Sequence, residues 1–152
     1  MATKKGNIMD AFVEGAKGGI QISLNSTIPN VLMAFALIRI LEITGVLAII
    51  EVIFAPFMGI FGLPGAAAAV LMAAWLSMGG GTGAAASLIA AGSLQGHHAI
   101  ILLPAIYLMG SQVQYIGRIN GTMDLPVKYN IHMLIISLIN AFLAMLVVRM
   151  FI

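Results

Sequence analysis

The chain has 152 residues, of which 61% are apolar and only 8% are charged, and it contains no cysteine. A soluble domain carries roughly 25% charged residues, so a soluble protein is excluded. The seven basic residues form no cluster that could follow a phosphate backbone, which excludes a nucleic-acid-binding protein. Without cysteine, disulfides and thiolate catalysis are excluded as well. The composition predicts an integral membrane protein.

The first 27 residues are predicted to form a cytoplasmic or interfacial segment. Asp10, Glu14, Lys17 and Gln21 follow one another at spacings of four, three and four residues, which places them on one face of a helix, with apolar residues opposite. Such a helix carries too much charge to span a bilayer and is suited to lie in the headgroup plane. Residues 28–152 are predicted to form the membrane-embedded domain.

Three long segments of the chain carry no formal charge, and they lie between Lys17 and Arg39, between Glu51 and Arg118, and between Lys128 and Arg149. A helical crossing takes about 20 apolar residues, and the sequence lacks the alternation of membrane strands. We therefore expect an all-α membrane protein with about three full crossings. The predicted crossings are Ile28–Ile50, starting after N-caps at 25–27, then His97–Ile116, interrupted at Pro104 and Gly110, and Ile131–Phe151.

The middle segment contains two short apolar runs, Ala66–Met78 and Ala84–Ala91, on either side of the glycine cluster 79–83. Each run is too short to span a bilayer alone. They predict a re-entrant hairpin broken at the glycines, and the alternative is one kinked crossing.

Positive charge favours the hairpin. With a hairpin, Lys4, Lys5 and Lys17 lie on the same side of the membrane as Arg118 and Lys128, as the positive-inside rule prefers. The N-terminus is then cytoplasmic.

A helix broken inside the membrane leaves backbone N–H and C=O groups without partners, and transporters use such groups to bind ions and solutes. The glycine cluster is the first candidate, and the break expected at Gly110 is the second. The candidate binding residues are Asn30, Ser77, Gly79, Gly80, Gly81, Thr82, Gly83, Ser87, Gly110, Ser111, Gln112 and Gln114. Two alternatives stay open: the small residues serve only close helix packing, and the second group is a helix end at the headgroups.

Three further polar residues are expected inside the membrane. Arg39 and Glu42 are three residues apart and share a helix face, where they pair with each other, meet another subunit or contact a charged solute. Asn140 is expected to hydrogen-bond another helix. No arrangement of catalytic residues is found, and His97, His98 and His132 suit the interface better than a metal site. We expect neither an enzyme nor a cofactor, apart from a possible Na⁺ coupling ion.

Four segments carry a resemblance to a known family: IPNVLMAF (28–35), GLPG (62–65), MGGGTG (78–83) and LPAIYLMG (103–110). The chain resembles the Gate, or nucleoside recognition, family, which includes spore maturation protein B. The resemblance implies a Gate-type helical domain, similar to units within concentrative nucleoside transporters and the FeoB iron permease. It also implies a bacterial inner-membrane location and a YjiH-like membrane protein as partner.

These observations predict a subunit of a secondary transporter for a small polar or anionic solute, with its site at the broken helices. The subunit is expected to work with a YjiH-like partner or as a homodimer. The alternative is a membrane scaffold or envelope-regulatory subunit that transports nothing. A cavity containing Thr82 and Gln112 would favour transport, whereas a dry seam of alanine and glycine would favour the scaffold.

Overall fold

A computed structural model describes residues 7–112, 114–116, 122–123 and 126–152. Lys4, Lys5 and Arg118, which the orientation argument uses, lie outside this part of the chain. The predicted all-helical architecture is confirmed. The helices are α1 (Ile8–Ile22), α2 (Ile28–Ile43), α3 (Val46–Gly59), α4 (Ala67–Leu76), α5 (Met78–Ala90), α6 (Gly96–Met109) and α7 (Tyr129–Arg149), with a π-helical segment, Ser23–Thr27, between α1 and α2.

Within the part of the chain that the structure describes, three stretches are long and apolar enough to cross a membrane, as the sequence predicted. They are Ile8–Ile43, Gly96–Ile116 and Tyr129–Arg149. Tyr129–Arg149 is a helix of 21 residues, which is about 32 Å long and matches a hydrocarbon core of about 30 Å. Gly96–Ile116 also has 21 residues, but its helix α6 ends at Met109 and the backbone of Gly110 is extended. Pro104 lies inside α6 without ending it, so the interruption predicted there is wrong.

The first crossing lies earlier in the chain than predicted. The π-helical segment joins α1 to α2 in right-handed helical backbone, so Ile8–Ile43 is one helix of 36 residues. Only the 21 residues between Lys17 and Arg39 are free of charge; they span about 32 Å and centre on Ile28.

The predicted span Ile28–Ile50 is therefore wrong, because Gly45 turns the chain with a φ of 75° after α2 has ended. The predicted N-caps at 25–27 are also wrong, since these residues lie within the helix. The helix predicted for the N-terminal segment is present as α1, none of whose residues is buried.

The α4–α5 hairpin (Ala67–Ala90) reverses at Ser77, which has extended backbone with φ −156° and ψ 129°. Seven residues of continuous helix would separate Ala74 and Gly81 by about 10 Å. Instead, a Cβ added to Gly81 would lie 2.7 Å from the Ala74 Cα. The ten residues of α4 extend about 15 Å, half the thickness of the hydrocarbon core. These are the dimensions of a re-entrant hairpin, and its depth in the membrane stays a prediction.

The glycine cluster does not break the helix, contrary to the sequence prediction. Residues 79–83 form the first turns of α5. Glycine costs about 1 kcal/mol relative to alanine in a helix, and here close packing offsets that cost. Ala74 faces Gly81, and a Cβ added to Gly83 would lie 3.2 Å from the Ala34 Cβ of α2.

The core lies where the hairpin packs between α2 and α6, and it consists mainly of small side chains. Nearly every residue from Ala66 to Leu71 is buried, together with Ala84, Ala85 and Leu88 of α5. On the far side, α6 packs against Ala141 and Met145 of α7, which are fully buried. The hairpin is thus enclosed by helices long enough to cross the membrane.

Candidate functional site

The first break, at Ser77, is closed by its own hydrogen bonds. The Gly80 N–H donates to Ser77 Oγ at 3.3 Å. The Gly81 N–H donates to the Ser77 carbonyl at 2.9 Å, and the Ser77 N–H donates to the Ala73 carbonyl at 2.9 Å. Ser77 is 6% exposed, and as N-cap of α5 it lies where the helix dipole is positive.

The second break follows α6, at the position that the sequence predicted. Gly110 has extended backbone. Ser111 has a φ of 59°, and no other non-glycine residue in the described ranges has a positive φ. A side chain at Gly110 would collide with the Ile106 carbonyl and come within 3.0 Å of the Met78 Cβ. Glycine is needed here because a side chain would meet the last turn of α6 as well as the start of α5.

Hydrogen bonds join the two breaks to each other. The Ser111 N–H donates to the Ala74 carbonyl at 2.8 Å, and the Met78 N–H donates to Ser111 Oγ at 2.9 Å. The Gln114 amide donates to the Leu76 carbonyl at 3.1 Å. Residues 111 and 114 therefore satisfy the negative end of α4 and the positive end of α5 together.

The π-helical segment lies at the same level as the two breaks. A Cβ added to Gly79 would lie 3.5 Å from the Asn30 Cβ and 3.8 Å from the Thr27 carbonyl oxygen. Thr27 ends the π-helical segment, and Ile28 is the middle of the charge-free residues 18–38. Three irregularities of the helical backbone thus lie close together, and π-helical turns are frequent at functional sites.

Two buried polar atoms near the breaks have no hydrogen-bond partner among the described residues. They are the Gln112 Oε1 and the Trp75 Nε1. The other atom of the Gln112 amide, Nε2, donates to the Leu108 carbonyl at 3.2 Å. Leaving a buried polar atom unpaired costs about 1–3 kcal/mol. An unpaired acceptor and an unpaired donor are the groups that a bound polar solute would satisfy.

The structure thus brings together six of the predicted binding residues at the breaks: Asn30, Ser77, Gly79, Gly110, Ser111 and Gln114. Gln112 follows directly, with one buried atom unpaired. Gly80 and Gly81 also bond Ser77 at the first break through their N–H groups, and the remaining candidates lie further along α5. Thr82 is exposed and donates to the Met78 carbonyl of its own helix, and Ser87 is about 15 Å further along the helix than Ser77. Gly80, Gly81 and Gly83 are buried in helix contacts.

The three polar residues that the sequence analysis expects inside the membrane lie away from the breaks. Arg39 and Glu42 form an ion pair at 3.0 Å, with side chains 72% and 20% exposed, which fits the self-pairing considered from the sequence. They lie in the last turns of α2, which ends at Ile43, and their depth in the membrane stays a prediction. Asn140 is exposed on α7.

Sequence reasoning missed Trp75 and the π-helical segment. Trp75 is the only tryptophan of the chain and lies two residues before the break, which is a signal that was available. The polar run of Ser23–Thr27 was interpreted as a set of helix caps. Only the packing of α2 against α5 distinguishes the two readings.

Comparisons with known proteins agree with this architecture. The Gate family, described as nucleoside recognition, matches residues 24–151. The chain is 48% identical to the inner membrane protein YjiG of Escherichia coli K12 over 144 aligned residues. The alignment covers 95% of this chain and 94% of YjiG. YjiG from the O6:H1 and O157:H7 strains gives the same values. No solved structure matches the chain.

Proposed function

The chain belongs to the Gate (nucleoside recognition) family, and from this premise we propose that it is a subunit of a secondary transporter for a small polar or anionic solute. The relatives are inner membrane proteins, and three stretches of this chain have the length and composition of membrane crossings. The binding site of the proposal lies at the two breaks and the π-helical segment.

The observation that carries the proposal is the pair of breaks joined through Ser111. At the Ser77 turn, the carbonyl end of α4 and the N–H end of α5 lie next to each other. Carbonyls at a helix C-terminus attract cations, and N–H groups at an N-terminus attract anions. This arrangement suits an anionic solute that is carried together with Na⁺ or H⁺. Broken helices of transporters bind solute and coupling ion in this way.

The present arrangement corresponds to a closed site, since the polar groups of the breaks bond mainly to one another. In the proposed cycle, the solute displaces Ser111 Oγ from the Met78 N–H and pairs with Gln112 Oε1 and Trp75 Nε1. Exchanging one set of hydrogen bonds for another costs little net free energy, which lets the site open and close.

The proposal includes a cytoplasmic N-terminus. A re-entrant hairpin leaves three crossings, which places Lys17 and Lys128 on one side and Arg39 and Arg149 on the other. By sequence order, Lys4, Lys5 and Arg118 fall on the side of Lys17 and Lys128, which therefore has more basic residues. The positive-inside rule favours the side with more basic residues as cytoplasmic. A cysteine at Met123, in a chain that has no other cysteine, should resist membrane-impermeant maleimide in intact cells and react after permeabilisation. Labelling from outside in intact cells would overturn this orientation.

The proposal also includes a second chain that completes the wall around the solute. A site at mid-membrane needs helices on every side, and this chain supplies only three crossings and a hairpin. The family resemblance favours a YjiH-like membrane protein for this role, and a further copy of the chain is the other candidate.

The test uses the chain co-purified with its YjiH-like neighbour and reconstituted in proteoliposomes. A mixture of nucleosides, amino acids and small carboxylates is supplied outside, with a Na⁺ or a proton gradient, and uptake is measured by mass spectrometry. We expect one class of solute to accumulate and Ser111→Ala to lower its uptake at least tenfold. The matched control is Ser137→Ala, because Ser137 is also 9% exposed but bonds within its own helix.

Two results would contradict the proposal. Equal uptake by wild type and Ser111→Ala would remove the breaks as the site. Absence of uptake for every solute class, with the complex intact, would favour the scaffold function. That alternative has an observation of its own, since Gly81 against Ala74 and Gly83 against Val31 form a seam without room for water.

A further inference from the structure

Asn140 is a polar side chain in an unfavourable place. It is one residue from the middle of α7 (Tyr129–Arg149), so it lies close to mid-membrane. Its side chain is exposed, and it has no hydrogen bond to any described residue. An amide that faces hydrocarbon without a partner costs several kcal/mol. Something outside this chain is therefore expected to cover it.

The residues around Asn140 form a regular seam on α7. Steps of four and three residues connect the seam from Tyr129 to Met150, which is the a/d spacing of a coiled coil, with Asn140 at an a position. Every apolar member is 41% exposed or more. We call this stripe the Asn140 seam; its members are Tyr129, Met133, Ile136, Asn140, Leu143, Val147 and Met150.

The rest of α7 provides a contrast. The buried face, with Ser137, Ala141 and Met145, packs against the protein and lies about a third of a turn around the helix from the seam. A second exposed stripe, from Ile135 to Leu146, is wholly apolar, and lipid satisfies such a surface without a partner. Only the Asn140 seam combines coiled-coil spacing with a polar group in its centre.

We propose that the Asn140 seam pairs with the same seam of a second copy of this chain. Copies inserted with one orientation are related by a twofold axis along the membrane normal, so their α7 helices run parallel and each residue faces its own equivalent. The two Asn140 amides then face each other. Because an amide is both donor and acceptor, Asn140 is complementary to itself, and a central asparagine at an a position favours a parallel pair in one alignment.

This inference rests on the crossing of the membrane by α7 and not on the transport proposal. The dimer uses the face of α7 that points away from α6 and the hairpin. It therefore leaves the two helix breaks unchanged, and a failure of transport would not argue against it.

Cysteine cross-linking tests the proposal in native membranes, since the chain has no other cysteine. Ile136→Cys places a thiol in the Asn140 seam. Ile135→Cys is the matched control, because it is adjacent, of the same residue type and similarly exposed, at 50% against 58%, but points to the second stripe. We expect mild oxidation to convert Ile136→Cys, and not Ile135→Cys, to a species of twice the monomer mass.

Each of the other results would overturn the proposal. A product of a different mass would show that another protein covers the seam. Equal cross-linking of both variants would indicate random collision, and no cross-linking of Ile136→Cys would leave the seam facing lipid.

A second measurement addresses the amide itself. In lipid bilayers, single-molecule photobleaching of labelled chains gives the dimer fraction as a function of chain density. Asn140→Leu is expected to weaken dimerisation about tenfold, whereas Asn140→Gln, which keeps the amide, should retain most of it. Unchanged dimerisation of Asn140→Leu would contradict the proposed role of the amide. Leucine is well tolerated in membrane helices, so the variant should still insert.

Discussion

The α4–α5 hairpin and the N-terminal helix α1 are both rich in glycine, and they use it in opposite ways. A Cβ added to Gly81 would overlap Ala74, whereas one added to Gly15, Gly18 or Gly19 would meet nothing within 4 Å. The hairpin is buried over most of its length, and α1 has no buried residue. The same residue type therefore permits close packing in one region and only weakens a helix in the other.

The largest expected effect comes from replacing these glycines by leucine. Gly81→Leu should destabilise the fold by about 3 kcal/mol or more, because the added side chain overlaps the backbone of Ala74 as well as its Cβ. Gly18→Leu should instead stabilise α1 by up to about 1 kcal/mol. Unfolding in mixed detergent micelles gives both values, and both variants should still insert in the membrane. If Gly81→Leu unfolded like wild type, the close contact of α4 and α5 would be wrong.

Ser111 should be the next most sensitive position. Ser111→Ala removes the acceptor of the Met78 N–H, leaving a part-buried donor unpaired, at a cost of about 1–3 kcal/mol. Ser23→Ala in the exposed helix loses only a bond to the Gly19 carbonyl and should change stability by less than about 0.5 kcal/mol. Hydrogen exchange at the Met78 amide should accelerate in the first variant alone. Unaltered exchange at the Met78 amide would show that Ser111 does not hydrogen-bond Met78 and that the two breaks are not joined through this bond.

A smaller effect is expected at the other end of the hairpin. Arg149 donates to the Ile60 carbonyl, and its side chain covers Gly62, whose φ is 70°. Arg149→Met keeps an apolar stem and removes the bond, which should cost about 1 kcal/mol at this exposed site. Thermal unfolding measures the change, and proteolysis of the loop between α3 and α4 should become faster. Protection equal to wild type would show that Arg149 does not hold this loop.

The smallest effect is expected for the exposed ion pair of the long N-terminal helix. A double-mutant cycle with Arg39→Ala and Glu42→Ala should give a coupling free energy of about 0.3–0.5 kcal/mol, decreasing with salt. This is the range of pairs on a helix surface in water. A coupling of several kcal/mol, insensitive to salt, would place the pair inside the membrane and would contradict the crossing at residues 18–38.

The sequence predicted much of the fold from local chemistry. The charge-free segments marked the crossings, since hydrocarbon excludes charge, and the Gly110–Ser111 break was found where expected. The prediction failed where helix ends had to be placed. The glycine cluster suggested a break that the structure has at Ser77, two residues earlier, because packing of α5 against α2 and α4 keeps the glycines helical.

Of the candidate site, the sequence supplied most residues but not their arrangement. It singled out Ser77, Ser111 and Gln112 as polar groups in apolar helices. It had no means to show that Ser111 bonds both α4 and α5 at the turn of the hairpin, or that the π-helical segment lies beside Gly79. Ser111 and Met78 are 33 positions apart in the sequence, and Gly79 and Thr27 are about 50 apart. Only the packing of the helices brings such residues together.

By itself, the sequence determined that this chain is a helical membrane protein, where charge prevents burial in lipid and which segments are too short to span it. These properties depend on composition and on neighbours along the chain. The tertiary structure decided which glycines pack and which lie open, where the helices break and which polar atoms stay unpaired. These depend on side chains distant in sequence, because a buried hydrogen bond or a close contact requires both partners in place.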